Sequence, residues 1–425
     1  MVNFFSNYFK QKSFFQASKF TFLLVAHLGA GASLVLINIF LANNISQTEF
    51  GIFVWIYAAS MVMSQMVIFG SSSYYLNKKG QNDPNTSLFF NSGSSFIIFN
   101  FIFICIFSLF CITLVNFHAN QYTFLGFFIS LILVQICQEM HILRCQLKNL
   151  YKLQSLIFLT PHASRFIALI IALNFFQSLS FQSLILFLTA INFLIFCLLT
   201  FKWRALIASF FYSINFKKYL QHFKNVYQRG IAEASFMLYT QLPVILVAYV
   251  FSIEESGIFA ISITFATIFL LPSAVFTKAF SPILFREANK TKKLHFKIVV
   301  NFLYVLGILG LFMSSCLYFL SEFIVVQFID ESFISSTELI KILSVYIFVR
   351  YLYTAISYSM YTHTFSLAHA NILLFAIALQ LIFFYLSAQF SIFNLTQVAW
   401  MMCVIEFLIF FISFGFLKST AFKLT

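Results

Sequence analysis

Charge is the scarcest commodity in this sequence. Only 9% of its 425 residues are Asp, Glu, Lys or Arg. Soluble domains carry roughly 25%, so a water-facing fold of this size could not cover its surface. That shortage excludes a soluble protein, a disordered chain and a nucleic-acid-binding domain. Paired cysteine is also missing. The seven cysteines, at 105, 111, 137, 145, 197, 316 and 403, form no CxxC pair, which excludes a disulfide framework or a zinc site. They read as small buried hydrophobes. Enzyme signatures are absent as well, with no P-loop, no HExxH and no GxSxG. No catalytic residue, metal site or cofactor is expected.

What is present is apolar sequence. It makes up 61% of the chain, a fifth of the residues are aromatic, and the mean hydropathy is +0.94. The 64 Phe read as lipid-facing filler. A spanning helix needs about 20 mostly apolar residues. Runs of that kind lie near 20–42, 50–76, 88–115, 122–143, 154–175, 182–201, 227–251, 256–283, 297–320, 338–362, 365–388 and 393–417. The expectation is an all-α polytopic membrane protein with twelve spanning helices. Membrane β-barrels show alternating segments of about ten residues, and none occur. The first run is too long for a cleaved signal peptide, so it reads as a retained anchor.

The 25 basic and 12 acidic residues sort by loop. With the N-terminus inside, the cytoplasmic segments gather clusters such as Lys10, Lys12 and Lys19, or Arg286, Lys290, Lys292 and Lys293. The external segments contain no Lys or Arg, only Glu49, Glu254, Glu255, Glu322, Asp330 and Glu331. This positive-inside pattern places both termini in the cytoplasm. Most of the +13 net charge therefore sets orientation. The longest loop ends in KKYLQHFKNVYQRGI, near 217–231, with Leu220, Phe223 and Tyr227 on one helical face. It reads as an amphipathic interfacial helix. It divides the chain into a lobe at 1–201, a linker at 202–226 and a lobe at 227–425.

A short repeat relates the lobes. SQTEFGIF at 46–53 returns as SIEESGIF at 252–259, an offset of 206. Each copy opens the second helix of its half, and Ser46/Glu49 and Ser252/Glu255 form Ser-x-x-Glu capping boxes. Six helices per half give two lobes of like orientation, related by an axis along the membrane normal.

The stretch 36–76, LINIFLANNISQTEFGIFVWIYAASMVMSQMVIFGSSSYYL, resembles the oligosaccharide and polysaccharide (O-antigen-type) flippases. These belong to the multidrug/oligosaccharidyl-lipid/polysaccharide exporter superfamily. The Glu255-Ser-Gly-Ile-Phe259 segment, with the helix running on through Pro272 to Phe280-Ser-Pro282, carries the likeness into the second half. The resemblance implies two six-helix lobes around a central cavity. It implies alternating access that carries an undecaprenyl-pyrophosphate-linked oligosaccharide from the inner to the outer leaflet of a bacterial inner membrane. Membrane lipid and other polysaccharide-assembly proteins would be partners, and nucleic acid would not. The alternatives are a multidrug or other lipid exporter of the superfamily, or a membrane-bound glycan polymerase or ligase. The short external loops without Lys or Arg argue against the enzyme.

Ionisable groups deep in a membrane mark pathways. Arg165, preceded by Pro161 and His162, and Arg350 sit near the middle of the fifth and tenth runs. A guanidinium fork matches phosphate oxygens, so both are candidates for the pyrophosphate. The competing reading pairs them with Glu406 or Glu139. Lys278 and His27 are further cavity candidates, Lys278 doubling as a snorkelling residue and His27 as a core residue. Gly29 to Ser33 form a small-residue run that admits close helix approach. Glu233 is either an i,i+4 partner of Arg229 or a coupling carboxylate. The resemblance implies a cation or proton site in the second lobe, to which Asn371, Thr396 and Glu406 could add oxygens, and Glu139 is a further candidate. Lys341 reads as an i,i+3 partner of Glu338. Pro243 and Pro272 interrupt the first two helices of the second lobe.

Overall fold

A computed structural model describes residues 13–80, 86–114, 121–148, 150–175, 180–201, 216–291, 296–360, 366–390 and 393–423. Among them the chain is helical throughout. The first lobe comprises α1 (Ser13–Ala42), α2 (Gln47–Ile68), a short α3 (Ser71–Gly80), α4 (Thr86–Leu114), α5 (Gln121–Leu147), α6 (Tyr151–Phe175) and α7 (Phe181–Phe201). The second comprises α8 (Phe216–Val250), α9 (Ile253–Thr291), α10 (Phe296–Phe328), α11 (Ser336–Met360), α12 (Ser366–Phe390) and α13 (Leu395–Lys423), with a single 3-10 turn at Glu331–Phe333. Eleven of these helices are long and apolar enough to cross a membrane, and α4 adds a shorter apolar stretch at Ser95–Leu109. The twelve expected runs thus appear as twelve apolar helices.

Two boundaries differ from the apolar pattern. The run at 50–76 does not continue as one helix. Phe69 and Gly70 both adopt positive φ, 40° and 72°, which ends α2 and starts α3. Residues 217–231, expected as an amphipathic surface helix, are helical but not separate. They form the first turns of α8, continuous through to Val250, while 202–215 lie outside the described residues. Leu220, Phe223 and Tyr227 are exposed, and Phe223 also stacks on Phe69 at 5.9 Å.

The two lobes repeat one packing scheme. In the first, α1 packs on α6, α2 on α5, and α5 on α7. In the second, α8 packs on α12, α9 on α11, and α11 on α13. These are the first-with-fifth, second-with-fourth and fourth-with-sixth spanning helices of each half. The lobes meet through α2 with α8 and α9, and through α9 with α1.

The repeated octapeptides lie where the lobes touch. Thr48 Oγ1 donates to Glu254 Oε1 at 2.6 Å, and the two residues are 206 apart. They are repeat mates facing each other. Gly51 and Gly257 are mates too. A Cβ on Gly51 would sit 2.0 Å from the Ile253 carbonyl oxygen, and one on Gly257 would sit 3.1 Å from that of Gln47. Only glycine lets the helix starts cross this closely. Ser46 and Glu49 form the full reciprocal capping box. At the second copy the Ser252 hydroxyl accepts from the Glu255 amide at 3.0 Å, while Glu254 turns to Thr48. Asn43 and Gln47 tie this end to the α10–α11 connection, through Phe328 O and Asp330 N and through Ser332 O. The Ser332 hydroxyl, and after it the Ser332 amide that donates to Asp330 Oδ1 at 2.9 Å, hold the Asp330 carboxyl below the usual carboxylate range.

The small-residue run in α1 works as expected. A Cβ on Gly29 would meet Leu159 of α6 at 3.1 Å, and one on Gly31 would meet Leu271 of α9 at 2.4 Å. Phenylalanine, by contrast, is more than filler. Phe103, Phe319 and Phe411 are exposed, but Phe50, Phe96, Phe127, Phe259, Phe333 and Phe384 are fully buried. The cysteines are not uniformly buried either: Cys197 is exposed, and all six described ones are free thiols.

Candidate functional site

A cavity of about 440 Å³ lies between the lobes, walled by α1, α2, α5, α6, α8 and α9. Its size is that of a site for a small organic molecule. The wall is rich in carboxamides: Asn38, Gln65, Gln135, Gln138 and Gln241. Hydroxyls from Ser64, Tyr57, Thr264 and Thr267 join them, with rings from Phe53, Phe158, His27 and His162. Glu139 is the one carboxyl side chain among the described lining residues.

Neighbouring helices hold these groups in place. Asn38 Nδ2 donates to Thr264 Oγ1 across the lobes at 2.9 Å. Ser64 Oγ donates to Gln135 Oε1 at 2.9 Å. Gln65 Nε2 donates to Glu233 Oε2 at 3.0 Å. The His27 ring lies 4.1 Å from the Phe158 ring.

Arg165 stands one layer behind the wall. It lines a small void with His162, Tyr57, Phe53 and Leu34, and these four also line the main cavity. Its Nε donates to Asn192 Oδ1 at 2.8 Å, Asn192 donates to Ser130 at 3.0 Å, and Tyr57 lines the same void beside the guanidinium. Every one of these partners is neutral. No carboxylate lies within ion-pair distance of Arg165 among the described residues. His162 Nδ1 is buried beside it without a hydrogen-bond partner.

Arg350 is placed differently from Arg165. It is buried inside the second lobe, away from the cavity wall, and its Nη1 bonds both Glu406 oxygens at 2.9 and 3.1 Å. The Tyr239 hydroxyl donates to Glu406 Oε2 at 2.6 Å. The guanidinium also lies over the rings of Phe236, Tyr353 and Tyr239, 4.9 to 5.8 Å from their centroids. The expected alternative of an Arg–Glu pair is what the structure contains, and it spans α8, α11 and α13.

The other expected residues scatter. Glu139 and His27 reach the cavity. Glu233 sits just behind it, held by Gln65. Its expected i,i+4 ion pair with Arg229 does not form within 4 Å among the described residues. Arg229 lies instead over the Tyr74 ring at 6.0 Å. Asn371 is exposed near the start of α12, and Thr396 is half-buried at the start of α13. Thr396 precedes Glu406 by ten residues, roughly 15 Å along a helix. Asn371, Thr396 and Glu406 therefore do not form one oxygen cluster. The Lys278 side chain lies outside the described residues. Lys341 pairs with Glu322 at 3.8 Å rather than with Glu338. Among the described residues no three His, Cys, Asp or Glu side chains come together as a metal site.

No family profile and no curated protein sequence matches the chain. Solved structures do match its fold. An inward-facing multidrug resistance MATE family transporter of the MOP superfamily aligns with a TM-score of 0.67 at 8% identity, over 94% of this chain and 95% of that one. An outward-facing form of such a transporter aligns at 0.70 and 9%, over 96% of both chains. A MOP superfamily transporter from Pyrococcus furiosus, described as having a binding pocket of reversed polarity, aligns at 0.66 and 9%, over 95% of both chains. At such identity the likeness shows the fold: this chain is an all-helical, two-lobed, multi-pass membrane protein of MATE-like architecture.

Proposed function

We propose that the chain carries a lipid-linked oligosaccharide across a bacterial inner membrane by alternating access, with both termini in the cytoplasm. The observation that carries this reading is the carboxamide wall. An amide side chain both donates and accepts, so Asn38, Gln65, Gln135, Gln138 and Gln241 match the mixed donors and acceptors of sugar hydroxyls. Arg165 supplies the fixed positive charge for a pyrophosphate, and its neutral partners leave that charge uncompensated. Tyr57 and His162 stand between it and the cavity. The resemblance of 36–76 to polysaccharide flippases agrees, and so does the transporter fold of the solved neighbours. A cavity of about 440 Å³ has room for a head group, while a longer glycan and its isoprenoid tail need a wider state.

One observation favours a second reading. Glu139 is the carboxyl group on the wall, and a carboxylate suits a cationic amphiphile, as a multidrug exporter would take. Arg165→Ala separates the two. On the flippase reading it abolishes surface glycan while the protein stays in the membrane, and drug resistance is unchanged. Normal surface glycan in that variant rejects the reading.

A further inference from the structure

Each of three prolines inside membrane helices is met by a polar side chain from another helix. Proline lacks an N–H, so it leaves the carbonyl four residues earlier without its helical partner. In a membrane that carbonyl must be satisfied inside the protein. Pro243 of α8 frees the carbonyl of Tyr239, and Gln380 Nε2, fully buried on α12, donates to it at 3.2 Å. Pro272 of α9 disturbs the same turn in which the Tyr351 hydroxyl of α11 donates to Phe269 O at 2.7 Å. Pro161 of α6 frees the carbonyl of Ile157. Gln138 Nε2 of α5 reaches that carbonyl at 3.3 Å and the next one, Phe158 O, at 2.9 Å.

The three are not equivalent. Gln380 and Tyr351 do not line the cavity, whereas Gln138 does. One side chain thus holds the weak turn of α6 and also faces the space where an occupant would sit. Directly after that turn come His162 and Arg165. A hydroxyl-bearing occupant that takes the Gln138 amide takes it away from the two carbonyls. Sharp kinks fall at prolines and where a side chain enters the i→i−4 ladder, and α6 has both at this turn.

We propose that Gln138 latches α6 at Pro161, and that an occupant of the cavity opens the latch, so that binding bends α6 and moves His162 and Arg165. Gln138 acts here as a positioning residue. The part concerning the occupant rests on the flippase reading above.

The test is a double-mutant cycle in nanodiscs, read by hydrogen–deuterium exchange of the α6 peptides around Pro161. Gln138→Met keeps the bulk and removes the donor. It should speed exchange there about tenfold, as expected for an orphaned buried carbonyl. In a Pro161→Ala background the helix satisfies its own carbonyl, so Gln138→Met should change nothing. The double variant should also rescue the yield if Gln138→Met alone folds poorly. Equal effects in both backgrounds overturn the latch. A short-chain prenyl-pyrophosphoryl N-acetylglucosamine is then added. It should speed α6 exchange in the wild type and leave Gln138→Met unmoved. Binding of this probe, seen as a thermal shift, without any change in α6 overturns the role of the occupant. No binding to the wild type counts against the flippase reading, and the probe-free cycle still decides the latch.

Discussion

Removing one charge of the Arg350–Glu406 pair should cost far more than removing both. Arg350 is 7% exposed and Glu406 is fully buried. Two N–H···O contacts at 2.9 and 3.1 Å join them, and Tyr239 fills a further lone pair of the carboxylate. Glu406→Gln strands a guanidinium among the rings of Phe236, Tyr239 and Tyr353. Breaking a buried pair costs about 3–5 kcal/mol, because the remaining charge has nowhere to go. The apolar triple replacement Arg350→Met, Glu406→Leu and Tyr239→Phe strands nothing, and such swaps are often neutral or stabilising. Tyr239→Phe belongs in the set because its hydroxyl would otherwise lose its acceptor, at about 1–3 kcal/mol. Thermal unfolding of the purified protein in detergent, followed by tryptophan fluorescence, reads the difference. The single variant should melt roughly 5–10 °C lower, and the triple variant should melt close to the wild type. A single variant within about 1 kcal/mol of the wild type would show that the pair is hydrated, and the reasoning would fail. The same triple variant bears on coupling. If it still transports, Glu406 is a structural partner and not a proton or cation carrier.

Other outcomes follow from the contact between the lobes and from the prolines. Gly51→Val should lower folded yield and thermal stability by about 1–3 kcal/mol, since its Cβ would enter the Ile253 carbonyl, whereas Gly415→Ala, with nothing within 4 Å, should be silent; equal effects would refute the close crossing. A short thiol-specific crosslinker between Thr48→Cys and Glu254→Cys should stop transport reversibly, because in the proposed alternating-access cycle the repeat mates part when that end opens; undiminished transport by the crosslinked protein would contradict this. Gln380→Leu should destabilise by about 1–3 kcal/mol in the wild type and much less in a Pro243→Ala background, measured by the same melting assay.

Much of the fold was legible in the sequence because a bilayer imposes length. Twelve apolar runs became twelve apolar helices. The repeated octapeptides proved to be the point where the lobes touch, and the small-residue run of α1 proved to be a packing surface. The run at 50–76 was carried across the break at Phe69 and Gly70, although Gly70 and the polar Ser71, Ser72 and Ser73 mark it in the sequence. The site was less legible. In water the apolar stripe of a helix marks its inner face, but in lipid both faces are apolar, so no periodicity shows which residues face a cavity. Charge was therefore the available signal, and it led to Glu139 and His27, which line the cavity, and to Arg165 and Glu233, which lie behind its wall. It also pointed to Arg350 and Glu406, which turn out to pair with each other inside the second lobe. The carboxamides were passed over because an uncharged Gln in an apolar run carries no obvious mark. The signal that could have found Gln138 is positional, since a buried proline on one helix calls for a donor on its neighbour.

The most direct test of the central claim is deletion of the gene in the organism that carries it, with lipid-linked glycans analysed beside surface polysaccharide. The account predicts loss of the surface glycan and accumulation of its lipid-linked repeat unit in the membrane. Wild-type protein should reverse both, and Arg165→Ala, present at equal level, should reverse neither. Unchanged glycans in the deletion strain, or full rescue by Arg165→Ala, would contradict it.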